Sequence, residues 1–241
     1  MNPNKPLNMK AYGHIAHLPN SRIGEGDHHC SPGQARIATE KPRDKFDIII
    51  VQEKLDGSNV CVAKKDDIIY PLIRAGYIAS TSKHIQHQIF YKWAMINYQR
   101  FDKLLLNGER LCGEWLIQAH GTKYNLLHEP FVAFDIFDTS NNRLPYTDFI
   151  KRIENEFITP YLIHKGTPLS VVCAMKSLGE FGKHGAIDKV EGVVYRVERK
   201  DKVEFLCKYV RPDKIDGNYL IKGAEPVWNC DYERLLNDQK I

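Results

Sequence analysis

Lys54-Leu55-Asp56-Gly57 is the stretch of this sequence best suited to covalent chemistry. It follows Ile48-Ile49-Ile50-Val51, an apolar run that reads as a buried strand, and Asp-Gly breaks that strand. A lysine at such a strand end is held with its amine at the rim of a sheet. An amine attacks phosphorus only when unprotonated, and free lysine has a pKa of about 10.4. Partial burial and neighbouring cations are expected to lower that value. Taken alone, the tetrapeptide is better read as a surface lysine flanking a turn.

The elements that must position this lysine follow from patterning. Further strands are expected at 59–63, 68–74, 110–116 and 131–137. Pro71 inside the 68–74 run marks an edge strand or a bulge. A helix is expected over 84–99, where Ile85, Ile89, Trp93 and Ile96 share one face. Two shorter helices follow, one from near Thr147 and one with Thr167 as N-cap, Pro168 at its first position and Gly179 as its stop. Residues 190–199 and 202–210 read as an antiparallel hairpin. Strands in consecutive runs with helices between groups predict an α+β fold of mostly antiparallel sheets flanked by helices. Residues 1–45 read as a loop-rich N-terminal segment of the same domain, 46–212 as the core, and 213–241 as a short C-terminal tail with no separate domain.

The 241 residues carry a net charge of +4, compatible with a polyanionic partner without requiring one. No apolar run approaches a bilayer span, and Met1–Lys10 lacks the apolar stretch of a secretory signal, so a cytoplasmic protein is expected. Six scattered cysteines without a CxxC pair predict reduced thiols, with Cys61, Cys112 and Cys207 in the core. Neither GxGxxG nor a Walker A loop is present.

Six short motifs in order carry a resemblance. Glu53-Lys54-Leu55-Asp56-Gly57-Ser58-Asn59 resembles motif I of the covalent nucleotidyltransferases, the superfamily of ATP-dependent DNA ligases, RNA ligases and capping enzymes. Arg74-Ala75-Gly76, Gly113-Glu114-Trp115, Phe134-Asp135-Ile136-Phe137-Asp138, Val190-Glu191-Gly192-Val193-Val194 and Cys207-Lys208-Tyr209 resemble the motifs that follow. Asn59 and Phe134-Asp135 are most similar to the bacteriophage RNA ligases that seal nicks in duplex RNA. The resemblance implies an ATP-grasp-like nucleotidyltransferase core and an ATP-dependent RNA ligase of RNA repair. Such an enzyme would form a lysyl-AMP intermediate, adenylylate an RNA 5′-phosphate and seal it to a 3′-hydroxyl.

The same resemblance assigns roles. Lys54 is the nucleophile, and Lys208 contacts the α-phosphate. Glu114 binds the ribose hydroxyls, and Glu191 helps hold Mg²⁺ or Mn²⁺. Phe134 stacks on adenine, and Arg74 meets a phosphate. Asp56 and Asn59 serve the later steps. Gln52, Glu53 and Asn59 join the nucleotide-binding set. Implied partners are RNA ends with a 5′-phosphate and a 3′-hydroxyl, prepared by a separate end-healing kinase or phosphatase, and no membrane.

Two departures from the pattern stand out. Leu206 replaces the first of two motif V lysines, so either Lys208 suffices or Lys202, Arg196 or Arg211 compensates. After Val210 too little chain follows for another core or an OB barrel, so the grip on RNA falls to the core, the N-terminal segment or a partner. In that segment His14, His17, His28 and Cys30 could supply four zinc ligands, at a spacing unlike known zinc fingers. An RNA or nucleotide surface, or loop caps, are the competing readings. Arg36, Lys41, Arg43 and Lys45 lie near enough to meet phosphates, and a solvated basic loop accounts for them equally well. Lys83, His84, His87, Tyr91 and Lys92 lie outside the apolar stripe of the 84–99 helix. They suit an RNA contact, with a solvated face as the simpler reading. The alternatives to an RNA ligase are a DNA ligase, a capping-type transferase, or a degenerate nucleotide- or RNA-binding module without turnover.

Overall fold

A computed structural model describes residues 4–237. In chain order these form β1 (Ala16–His17), α1 (Pro32–Thr39), β2 (Asp47–Lys54), β3 (Ser58–Lys65), β4 (Ile68–Ile73), α2 (Ile85–Ile96), α3 (Tyr98–Leu104), β5 (Arg110–Trp115) and β6 (Phe131–Phe137). Then come α4 (Tyr146–Ile153), β7 (Leu162–Gly166), α5 (Val171–Leu178), β8 (Gly192–Arg199), β9 (Lys202–Val210) and α6 (Tyr232–Asn237). Two sheets result, ordered β1-β9-β8-β2-β7 and β4-β3-β5-β6. Every strand pairing between neighbours is antiparallel except β1 with β9. The expected α+β class holds.

Period-two alternation explains how each sheet divides its faces. On the first sheet Ile49, Val51, Val193, Tyr195, Val197 and Cys207 pack with Ala35 and Ala38 of α1 and Ala174 and Leu178 of α5. The opposite parity (Gln52, Lys54, Val194, Arg196, Leu206, Lys208) lines a cavity. On the second sheet Val60, Val62, Leu111 and Trp115 join Phe90 and Trp93 of α2, Phe101 of α3 and Phe149 of α4. Asn59 and Glu114, paired across β3 and β5, sit on the other face and line the same cavity. Helices thus cover the outer face of each sheet, and the polar residues of both sheets converge.

Pro71 lies on β4, the edge of its sheet, where a missing N–H breaks no ladder. The expected 84–99 helix ends at Ile96, and α3 restarts at Tyr98. The helix predicted from Thr167 begins instead at Val171, because Ser170 caps it by accepting the Cys173 N–H at 3.2 Å. Pro168 holds Thr167 out of the helical region. Gly179 ends the helix as expected, at φ +80°. The N-terminal loop reading misses α1, whose Ser31 and Gln34 form a reciprocal capping box. Residues beyond Val210 pack back on the core. Asn229 accepts the Tyr124 N–H at 2.9 Å and donates to the Leu116 carbonyl at 2.7 Å. Cys61, Cys112 and Cys207 are buried free thiols, as expected.

Candidate active site

The cavity between the sheets has a volume of about 650 Å³, within the range of small-molecule sites. Lys54, Asp56, Lys208, Gln52, Glu53, Asn59, Arg74, Glu114, Phe134 and Glu191 all line it. Sequence positions from 52 to 208 therefore meet in one place.

Lys54 ends β2 opposite Gly192, the residue after Glu191. Its Nζ donates to Glu191 Oε2 at 2.7 Å and to its neighbour's Leu55 carbonyl at 3.3 Å. The sequence led us to expect a depressed lysine pKa. Burial does push it down, but the nearby carboxylates of Glu191, Glu114 and Asp56 outweigh burial and hold it above the usual lysine value. The resting residue is a paired ammonium. The two glutamates respond oppositely to the usual carboxylate. Burial raises Glu114 to about 7, against the pull of Lys54, and it raises Glu191 as well. Glu114 Oε1 also accepts the Gly57 N–H at 3.0 Å. Gly57 is required there, since a Cβ would lie 2.5 Å from the Trp115 carbonyl oxygen.

Asp56 turns to a cation that sequence reasoning missed. Its Oδ2 is ion-paired with Lys214 and accepts the Gly121 N–H at 2.9 Å. Lys214 also donates to Thr122 Oγ1 at 2.8 Å and is almost wholly buried. No motif marks it. Glu53 lies at the cavity margin, but its Oε2 accepts the Lys183 N–H at 2.9 Å and its Oε1 fills the place a Cβ on Gly182 would need. Burial raises that carboxyl to about 7. Gln52 donates from Nε2 to the Pro160 carbonyl at 3.2 Å.

Phe134 meets the ring of Tyr12 edge-on, with centroids 5.2 Å apart. Tyr12 donates to Asp135 Oδ2 at 2.7 Å, and Asp135 also pairs with Arg143 and Arg196. Arg196 therefore lines the cavity with its guanidinium committed to Asp135 and to the carbonyls of Phe134 and Leu144. Leu206 faces the cavity directly across from it. The other suggested compensators are elsewhere: Arg211 binds the Val190 and Lys189 carbonyls, and Lys202 sits exposed at the β8–β9 turn. Arg74 donates from Nη2 to the Gly13 carbonyl at 3.0 Å.

Lys10, Tyr12, Gly13, His14 and Ile15 form one wall of the cavity, so the N-terminal segment contributes to it directly. His17 is spent on Ser21 and Asp27, and His29 Nδ1 on the Leu18 carbonyl. Among the described residues no group of three or more His, Cys, Asp or Glu is placed to hold a metal. The histidine cluster is thus no zinc site here; His17 and His29 tie loops. Arg43 is taken up by Asp47 and Glu204. Of the α2 basic residues, His87 reaches the cavity.

A model of the RNA ligase family matches residues 47–210, about two thirds of the sequence. The chain belongs to the RNA ligase family. Among solved structures, a Naegleria gruberi RNA ligase mutant with ATP and Mn matches with a TM-score of 0.51 at 19% identity, over 81% of this chain and 58% of that one. A second mutant of that ligase with ATP and Mn gives 0.53 at 18%, over 82% and 59%. A third, with AMP and Mn, gives 0.52 at 17%, over 81% and 59%. This RNA ligase family chain shares their nucleotidyltransferase fold and spans under three fifths of their length. No curated protein matches it significantly.

Proposed function

We propose that this chain is an ATP-dependent RNA ligase that works through a covalent lysyl-AMP at Lys54. One observation carries the reading. Lys54, at a strand end, shares one cavity with the carboxylates of Glu114 and Glu191, the cations of Arg74 and Lys208 and the ring of Phe134.

Catalysis at a phosphoryl group is mainly positioning and charge. In the first step the Lys54 amine would attack the α-phosphorus of ATP. A nitrogen–phosphorus bond forms, and the bond to pyrophosphate breaks with its electron pair. Lys54 must first lose a proton, and Glu191 Oε2 is the acceptor within reach. Withdrawal of the Glu191 carboxylate removes the largest of the attractions that oppose burial and so shifts Lys54 toward the neutral amine. Lys208 and Arg74 would offset phosphate charge. Phe134 and Tyr12 form an aromatic surface suited to a base. Asn59 Oδ1 is buried without a hydrogen-bond partner and offers an acceptor to a ligand. An RNA 5′-phosphate oxygen would then attack the lysine-bound phosphorus, releasing the amine. A 3′-hydroxyl would attack the activated 5′-phosphorus, releasing AMP.

The donor set fits a hard divalent cation that takes few protein ligands. Glu191 is the carboxylate placed for it, with nucleotide oxygens and water completing the shell. Such an ion, Mg²⁺ or Mn²⁺, would supply charge neutralisation at the phosphates.

RNA ends with a 5′-phosphate and a 3′-hydroxyl suit a role in cytoplasmic RNA repair, after a separate end-healing kinase or phosphatase. No helix among the described residues is long and apolar enough to cross a membrane. The test is a panel of nicked duplexes in RNA and DNA, with ATP or GTP and Mg²⁺. Sealing of nicked RNA with ATP supports the reading. Preference for DNA or use of GTP would move the chain to a DNA ligase or capping role. Binding of ATP or RNA without any sealing would indicate a module without turnover.

A further inference from the structure

We propose that Asp27, braced by His17 and Ser21, is a positioning residue that fixes the tip of Lys208. The inference rests on the ligase reading and concerns residues upstream of the family match, which begins at residue 47.

The segment 16–30 grips the end of β9 by its backbone. His17 stands in register with Lys208 in the parallel β1–β9 pair. Leu18 N–H donates to the Lys208 carbonyl at 2.8 Å, and Arg22 N–H donates to the Val210 carbonyl at 2.9 Å. Without β1, β9 would be an open sheet edge. A chain of side chains then leads back to the same lysine. Ser21 Oγ accepts the Val210 N–H at 2.9 Å and lies 2.7 Å from His17 Nδ1. The Asp27 carboxylate facing Nε2 can only accept, so the ring hydrogen sits on Nε2 and Nδ1 takes the Ser21 hydroxyl proton, whose other acceptor, the Arg22 carbonyl, is farther off at 3.3 Å. Nε2 donates to Asp27 Oδ2 at 3.0 Å. The other oxygen, Oδ1, faces Lys208 Nζ at 3.7 Å. His17 is 2% exposed and Ser21 7%, so neither is free to wander.

Lys208 needs such a brace more than a lysine in a doubled motif would. Leu206 leaves it as the lone lysine of β9 facing the cavity. A lysine is a point charge on a flexible four-carbon stem. Lys54 and Arg74 also line the cavity and repel it. Asp27 is the carboxylate ion-paired with it, and the histidine fixes which oxygen it presents. The N-terminal segment thereby becomes part of the phosphate-handling machinery of the core.

The test is single-turnover adenylylation with α-labelled ATP and Mg²⁺ in the full chain. Asp27→Asn should slow the maximal rate about ten- to a hundredfold, as for other lost supporting contacts, while half-saturating ATP moves less than about threefold. Asp27→Glu should recover most of the rate. In a Lys208→Ala background Asp27→Asn should add no further loss, and a purely structural role would add one. The proposal is overturned by a wild-type rate in Asp27→Asn, or by an equal further loss in the Lys208→Ala background. Wild type that takes no label would defeat the ligase reading alone. The side-chain order of Lys208 by NMR then decides the contact: greater mobility in Asp27→Asn supports it, and an unchanged tip refutes it.

Discussion

Lys54 Nζ and Glu191 Oε2 lie 2.7 Å apart where the last residue of β2 meets the residue ahead of β8, so the proposed nucleophile is stored as one half of an ion pair. A free amine in this pocket would be the more reactive species, and burial alone would produce one. Glu191 prevents it at rest, with Glu114 and Asp56 in support. Glu191→Gln should therefore lower the Lys54 pKa relative to wild type. Titration of the lysine Cε resonance by NMR measures it. An unchanged pKa would mean that Glu114 and Asp56 hold the charge without Glu191.

Glu53 makes a second pH-dependent contribution, with the sign opposite to that of a salt-bridged carboxylate. Its carboxyl is raised to about 7 in the folded state, so the native chain binds more protons than the unfolded chain between the ordinary value and about 7. Stability from this group is complete below the ordinary carboxyl pKa and is lost as pH rises through about 7. At about 1.4 kcal/mol per pKa unit the full loss is on the order of 3–4 kcal/mol. Glu114 adds to it in the same direction. Chemical denaturation at pH 5 and pH 8 should show wild type weaker at pH 8, and Glu53→Gln should show a smaller difference. An equal difference in both would contradict this origin.

Lys214 should matter to stability far more than its place outside every motif suggests. Lys214→Met leaves the Asp56 carboxylate buried without its cation, a loss of about 3 kcal/mol. For a chain of this size that is roughly 6–12 °C in Tm. Adding Asp56→Asn should recover part of the loss, because the unpaired charge is then gone. Calorimetry on the two variants decides it, and strict additivity would argue against a direct pair.

Phe134→Ala should raise the Kd for ATP roughly ten- to a hundredfold, as expected when one stacking ring is lost. Phe134→Trp should stay near wild type. Isothermal titration with Lys54→Ala as background keeps the nucleotide intact during the measurement. Equal affinity in Phe134→Ala would place the base elsewhere in the cavity.

Much of this arrangement is legible in the sequence because strand patterning and chemistry coincide. Ile48–Val51 announces β2, and Pro71 announces an edge. Lys54, Glu114 and Lys208 occupy strand positions whose parity turns them to the cavity, and Glu191 reaches it from the residue just ahead of β8. The less legible parts depend on contacts between distant segments. Nothing local in Leu162–Gly166 outweighs its mixed composition, and β7 exists because the edge of β2 is available to it. Ser31 and Gln34 did signal α1, yet the surrounding glycine and histidine content masks it. The charge state of Lys54 was not legible, since neighbours from positions 56, 114 and 191 set it. Lys214 and Asp27 sit in irregular segments, where only the folded chain brings them to Asp56 and Lys208.

The most direct measurement is incubation of the purified chain with α-labelled ATP and Mg²⁺, followed by denaturing separation and peptide mapping. One AMP per chain on the peptide holding Lys54, released by pyrophosphate and absent from Lys54→Ala, is the predicted result. Label that persists in Lys54→Ala, or wild type that binds ATP yet takes no covalent label, would contradict the account.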